Sequence, residues 1–464
     1  MAARRDTLEA RFAKYTDRLA EALAHADRRT PFGWYLKGLM LPGTRKSVEP
    51  MAARVQPHNV RSAHQSMHHL VADADWNDTA LLAQVAQEVL PALRADKQTP
   101  CFWILDDTGS RKYGKHSVGV ARQYCGQLGK TENCQVAVSL SFATLEGSLP
   151  LAWQLYLPQE WTEDRRRCLD AGVPKDIAFA TKGEIAHQQI EAALNAGIAR
   201  GSVLMDAGYG DEAALRDWLT AKGLTYAVGI RPATAVWWGS HQPAPTPAKP
   251  RLGRPRTRVK RDARHTPIGV RELALKLPQK HYRTVTWREG TNSPLSSRFA
   301  RLRVRAAQGD KPRPEEWLVI EWPHGEAEPT RYFLSTLAPI MSFKALVATI
   351  KMRWRIERDY QELKQELGLG SYEGRNWRGF HHHASLCIAA YGFLMLERLR
   401  GVKKNATRFK APALPKSFRP RGALPHAAPR TVVHRHRALL SGTSHCAPSR
   451  AVPVLRESVR TGHS

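Results

Sequence analysis

Long apolar runs are missing from this chain. No stretch approaches the roughly 18 consecutive apolar residues that a membrane span needs. The N-terminus, Met1-Ala-Ala-Arg-Arg-Asp, lacks the apolar segment of a signal peptide. These absences predict a cytoplasmic protein with no membrane partner. Cysteine is also scarce: six in 464 residues (Cys101, Cys125, Cys134, Cys168, Cys387 and Cys446), none in a CxxC pair. Reduced, mostly buried thiols follow, rather than a disulfide or zinc framework. There is no HExxH spacing. The triplet His381-His382-His383 opens an apolar helix, where consecutive side chains point about 100° apart, which argues against a shared metal. Acidic residues are few as well, 42 Asp and Glu against 71 Lys and Arg, leaving a net charge of +29.

That excess opposes a compact state by self-repulsion unless a polyanion binds, and nucleic acid is the commonest such partner. An anionic membrane surface or a ribosome is the blander alternative. The length fits two or three domains around one sizeable core. Residues 1–95 show helical apolar spacing at Leu8, Phe12, Tyr15, Leu19 and Leu23, and again at Leu81, Leu82, Val85, Val89 and Leu90. They read as a helical domain that recognises a DNA end, or as a helical cap on the core. Residues 96–230 alternate strand and helix, the signature of an α/β or α+β core. Residues 231–335 start with a proline-rich stretch, and 249–264 carry eight Lys or Arg against one acid. Strands follow over 282–287, 298–305, 316–322 and 332–334. The last three cations of Ala300-Arg-Leu-Arg-Val-Arg305 sit at alternate positions, which predicts a wet, cationic sheet face. Residues 336–400 are helical. Residues 401–464 are basic and proline-rich, with 13 Lys and Arg and seven Pro past Gly401, and are expected to be disordered.

Carboxylates provide the sharpest pattern. Two apolar runs end in aspartate, Phe102-Trp-Ile-Leu-Asp106-Asp107-Thr-Gly and Val203-Leu-Met-Asp206-Ala-Gly-Tyr. Asp206 before glycine also fits a plain turn. Two acids closing a buried run cost desolvation unless something binds them. Successive strand residues face opposite sides, so only one of Asp106 and Asp107 serves a shared site, and periodicity does not choose. Arg353-x₃-Glu357-x₆-Lys364 lies on a stretch that predicts one helix over 343–367, with the three side chains within roughly 40° around its axis. A surface set of helix ion pairs is the plain alternative. Three acids on separate elements can hold two divalent ions for phosphodiester chemistry, and oxygen ligands favour Mg²⁺ or Mn²⁺.

Leu105-Asp-Asp-Thr-Gly, Gly114-Lys-His-Ser-Val-Gly-Val-Ala-Arg-Gln-Tyr, Asp206-Ala-Gly-Tyr-Gly and Glu357-Arg-Asp-Tyr-Gln-Glu-Leu-Lys364 resemble the DDE-type transposases of bacterial insertion sequences. Within them, the chain is similar to the group with a β-rich insertion before the third acid. The resemblance implies a ribonuclease-H-like mixed-sheet core with catalytic, metal-binding acids at Asp107, Asp206 and Glu357, and two Mg²⁺ or Mn²⁺ ions. It carries Arg353 and Lys364 onto the family's phosphate-clamping signature. Ile350 stands where the family has tyrosine. Lys112, Lys115 and His116, just past the first acid, are candidates for the flanking DNA backbone. Trp237, Trp238, Trp317 and Trp322 are candidates for stacking on a flipped base, with Trp317 and Trp322 reading better as core. The expected substrate is double-stranded DNA, the element's terminal inverted repeats and its target, handled by a dimer. A silent DNA-binding derivative and a junction nuclease on the same core are the rivals; the presence of all three acids argues against the first.

Overall fold

The computed structural model describes residues 7–239, 265–290, 293–309 and 313–408, with only the backbone at 402–408. The basic run at 249–264 and the tail past Arg408 lie outside the described residues. The strands are β1 (Phe102–Arg111), β2 (Ala121–Cys125), β3 (Lys130–Ala143), β4 (Ser148–Tyr156), β5 (Ser202–Met205), β6 (Tyr226–Ile230), β7 (Ala235–Trp237), β8 (Ile268–Gly269), β9 (Arg283–Arg288), β10 (Leu295–Ala306), β11 (Glu315–Trp322) and β12 (Arg331–Ser335). The helices are α1 (Leu8–Leu19), α2 (Arg29–Met40), α3 (Val48–Val55), α4 (Val60–Ala72), α5 (Asp78–Leu93), α6 (Gln159–Glu163), α7 (Arg165–Asp170), α8 (Lys182–Asn195), α9 (Ala207–Gly210), α10 (Ala213–Ala221), α11 (Val270–Lys276), α12 (Phe343–Lys351), α13 (Trp354–Gln365) and α14 (Trp377–Arg408).

Five strands form the heart of the sheet in the order β4-β3-β1-β5-β6. β3 runs antiparallel to β1 and β4, whereas β5 is parallel to both β1 and β6. This is the ribonuclease-H-like mixed sheet, with the short β2 hairpin added at β3. The apolar runs expected as strands are strands, and β1, β5 and β6 are buried along most of their length, as parallel pairing demands. The insertion extends that sheet instead of standing apart from it, because β12 pairs with β6 and is followed by β11 and β10.

Two expectations need correction. The arginines of β10 do not form a wet face. Arg301 and Arg303 are half-buried over the Trp317 ring, and the Arg301 guanidinium donates to the Met341 carbonyl. Arg303 meets Glu315, and Arg305 donates to the Arg313 carbonyl. The segment leading into α12 covers Arg301, with Phe343 against its guanidinium. Nor is 343–367 one helix. It breaks at Met352-Arg353, where the amides of Met352, Arg355 and Ile356 bond three residues back instead of four. The break leaves Arg353 as the cap residue of α13 and Glu357 in its first turn.

The N-terminal helices and the sheet bury one continuous apolar cluster. The Tyr15 hydroxyl donates to the Ala389 carbonyl of α14, and Phe12 meets Phe393 edge-on. Among the described residues no helix is long and apolar enough to cross a membrane.

Candidate active site at the carboxyl ends of β1 and β5

Strand alternation decides which acids meet. Trp103 and Asp107 point to the α8 face of β1: the Trp103 indole donates to the Ala199 carbonyl just past α8, and the Asp107 carboxylate accepts from Lys182 at the start of α8. Asp106 and Thr108 point to the α13 face. Ser139, the β3 partner of Asp106, bonds the Tyr360 hydroxyl of α13, and the Lys364 ammonium donates to the Thr108 hydroxyl. In the parallel β1–β5 pair Ile104 is level with Leu204. Two residues further along extended backbone, Asp106 is therefore level with Asp206, and both carboxylates rise from the same face.

The turn carrying Asp206 is held tightly. Its side chain caps α9 by accepting from the Gly208 amide at 2.8 Å. Gly229 of β6 lies directly beneath: a Cβ there would stand 2.8 Å from the Ala207 nitrogen. The buried Arg216 of α10 donates to the Gly210 carbonyl at the other end of the turn.

Arg353 ties Glu357 to Asp106. One guanidinium nitrogen reaches Asp106 at 2.6 Å and the other reaches Glu357 at 2.9 Å. Asp106 also accepts from the Asp107 amide. Burial pushes the Asp106 carboxyl up to about 7, Arg353 pulls it down, and the charge of Asp206 pushes it further up. Glu357, by comparison, is 60 % exposed. Two carboxylates thus share one guanidinium, with the charge of Asp206 nearby, which leaves the cluster short of positive charge. Its donors are all oxygen, the chemistry of a hard divalent cation. As they stand, no three acids, histidines or cysteines among the described residues are close enough to enclose an ion. A cation would have to draw Glu357 in and displace Arg353.

The other expected site residues are dispersed. Lys364 is buried against β1, donating to the Thr108 hydroxyl at 2.7 Å and the Gly109 carbonyl at 2.6 Å, and burial lowers it to about 8. Lys112 is turned inward to the Tyr372 carbonyl, and burial lowers it too. Lys115 and His116 are exposed on the loop after β1. Among the tryptophans, Trp237, Trp317 and Trp322 are core residues of the insertion. The cleft beside Asp206 and Glu357 is lined instead by Trp287, Trp354, Arg288, Lys351 and Ile350. Arg288 lies 3.8 Å above the Trp354 ring, and Lys351 pairs with buried Glu321. Helical and strand spacing gave no signal for Trp287 or Trp354, because the cleft joins β9 to the α12–α13 break. The three consecutive histidines bond elsewhere: His381 beside the Leu155 amide and Trp377 carbonyl, His382 between the Val71 and Trp76 carbonyls, His383 between Tyr35 and Gly368.

The sequence profile described as DDE superfamily endonuclease matches residues 18–294, which takes in β1 and Asp206 but stops before Glu357. A probable transposase for insertion sequence element IS701 of Microchaete diplosiphon is 32 % identical over 188 residues, 40 % of this chain and 45 % of that one. The chain therefore matches under half the length of that relative. With the profile covering well over half its residues, the chain belongs to the DDE superfamily endonucleases.

Proposed function

We propose that this protein is an insertion-sequence transposase that cuts double-stranded DNA at the element's terminal inverted repeats and joins the freed ends to target DNA. The observation that carries this reading is the β1–β5 register, which extended by two residues brings Asp106 level with Asp206, whose charge acts on it, with Glu357 reached through Arg353. Its first acid is Asp106, not the adjacent Asp107, because only Asp106 shares the face of Asp206. Two Mg²⁺ or Mn²⁺ ions held by Asp106, Asp206 and Glu357 would activate the attacking oxygen and steady the leaving one.

The chain's own groups contribute position and charge. Arg353 bridges Asp106 and Glu357 and offsets part of their charge, and its fork would suit a DNA phosphate. Lys364 fixes the end of β1 through Thr108 and Gly109, which sets the height of Asp106. Lys115 and His116 are exposed at the same end of β1 and suit the flanking backbone. Arg288 and Lys351 bring further positive charge to the cleft wall. Cutting two ends in concert calls for a dimer on DNA.

The test is nicking of a labelled duplex carrying the element's own end, with Mg²⁺, by wild type, Asp106→Asn and Glu357→Ala. Ion-dependent nicking by wild type and its loss in both variants is the expected result. Specific binding of that end without nicking by wild type would replace this reading with that of a silent DNA-binding protein.

A further inference from the structure

We infer that Asp107 is a positioning residue that fixes Asp206 from the opposite face of β1, through Tyr209. This rests on the proposed use of Asp106 as the first acid. Asp107 accepts the Tyr209 hydroxyl at 3.0 Å and the Lys182 ammonium at 3.0 Å on the same carboxylate oxygen. Tyr209 is buried and lies three residues after Asp206, inside the single helical turn that Asp206 caps. The turn is anchored at its start by the Asp206 carboxylate on the Gly208 amide and at its end by Arg216 on the Gly210 carbonyl. Between those ends, Tyr209 is the side chain that crosses to β1, and Asp107 receives it.

The two adjacent aspartates thereby divide the work. Alternation along β1 turns Asp106 up beside Asp206 and turns Asp107 down beneath it. The Lys182 ammonium and the Tyr209 hydroxyl converge on the same Asp107 oxygen. A group acting this way sets the orientation of a ligand without touching the ion, and loss of such partners costs roughly 10–100-fold in ion affinity.

The experiment compares the full-length wild type with Tyr209→Phe, Asp107→Ala, Asp107→Asn and the Tyr209→Phe/Asp107→Ala double variant. Hydrogen exchange at the Ala207–Gly210 amides is followed in EDTA, and Mn²⁺ affinity is measured by titration calorimetry. Tyr209→Phe and Asp107→Ala are each expected to speed exchange in this turn and weaken Mn²⁺ binding about 10–100-fold. The double variant should be no worse than Asp107→Ala, because that change already removes the contact with Tyr209. Asp107→Asn keeps an acceptor for the tyrosine and should lie nearest wild type. Should Asp107→Ala fail to fold, Tyr209→Phe, which removes one oxygen, carries the comparison. Exchange unchanged in Tyr209→Phe overturns the inference, and does so without reference to cleavage. Loss of Mn²⁺ binding in Asp107→Asn with normal binding in Tyr209→Phe overturns it too, since Asp107 would then be a ligand. A wild type that neither binds Mn²⁺ nor nicks DNA defeats the proposed function, while the exchange data still judge the coupling.

Discussion

Asp106 carries a heavy electrostatic load at the site. Its carboxyl titrates near 7 in the folded chain, against an ordinary value near 3.8, with burial as the main cause. A carboxyl raised by folding contributes stability that is complete below the unfolded value and disappears as pH climbs through about 7. The ion-free protein should therefore melt at a lower temperature at pH 8 than at pH 5.5 on account of this group. A divalent ion bound to the ionised form should recover the difference. Asp106→Asn removes both effects: its melting temperature in EDTA should depend less on pH, and Mn²⁺ should raise it little. Nicking should fall on the order of 10²–10³-fold, the usual loss when one preorganised charge-stabilising group is removed. Melting curves at the two pH values, with EDTA and with Mn²⁺, check this. An Asp106→Asn protein as responsive to Mn²⁺ as wild type would return the ligand role to Asp107. Residue spacing left those two aspartates undivided, and the family resemblance named Asp107; their side chains differ in which helix packs above them. That depends on α8 and α13, both more than 70 residues further along the chain, and no local pattern reports it.

At the scale of elements, the strands of the core were legible because each is a short apolar run bounded by polar turns, and β10 keeps a period of two from Ala300 to Ala306. The break between α12 and α13 was not legible. No glycine or proline marks it, and the apolar spacing continues across it, so only the pull of Asp106 and Glu357 on Arg353 distinguishes the position. The histidines of α14 show the opposite case, where a conspicuous motif has a structural use. His382 stacks 3.6 Å from the Trp76 ring, and burial lowers both His382 and His383 to about 4. The unfolded chain takes up these protons first, near 6.5. Stability from the two neutral rings is thus complete above about 6.5 and is lost as pH falls toward 4. At pH 5 each ring should cost roughly 2 kcal/mol, an order-of-magnitude figure from the same linkage. Urea unfolding at pH 7 and pH 5 checks it: wild type should lose stability, and His382→Phe, less stable at pH 7, should lose distinctly less. An equal drop in both proteins would place the acid sensitivity elsewhere.

For the molecule as a whole, the question is whether residues 1–95 form a module of their own. Their helical character was readable from apolar spacing, but spacing cannot say what the apolar stripe faces. In the structure it faces the catalytic core. Leu81, Val85 and Val89 of α5 are fully buried within the same cluster as Phe142 of β3 and Ile388 of α14. Gly392 of α14 is so closely approached that an added Cβ would meet the Tyr15 hydroxyl at 2.7 Å and Val85 at 3.0 Å. Polar ties follow the same seam: Arg11 bonds Glu397 at 2.8 Å, and Tyr35 bonds His383 at 2.9 Å. α14 in turn holds α13, since Tyr391 and Ser148 of β4 both donate to the buried Asp359, two residues from Glu357. The N-terminal helices therefore support the third acid through two layers of packing. Each fully buried large side chain they contribute stabilises by about 1.5–3 kcal/mol, so their joint removal exceeds the 5–15 kcal/mol by which a typical domain is folded. Deleting residues 1–95 should yield an insoluble chain, and the intact protein should unfold in calorimetry without a separate early transition for these helices. A truncated chain that stayed soluble, melted cooperatively and still bound Mn²⁺ would show instead that the helices are a detachable DNA-reading module.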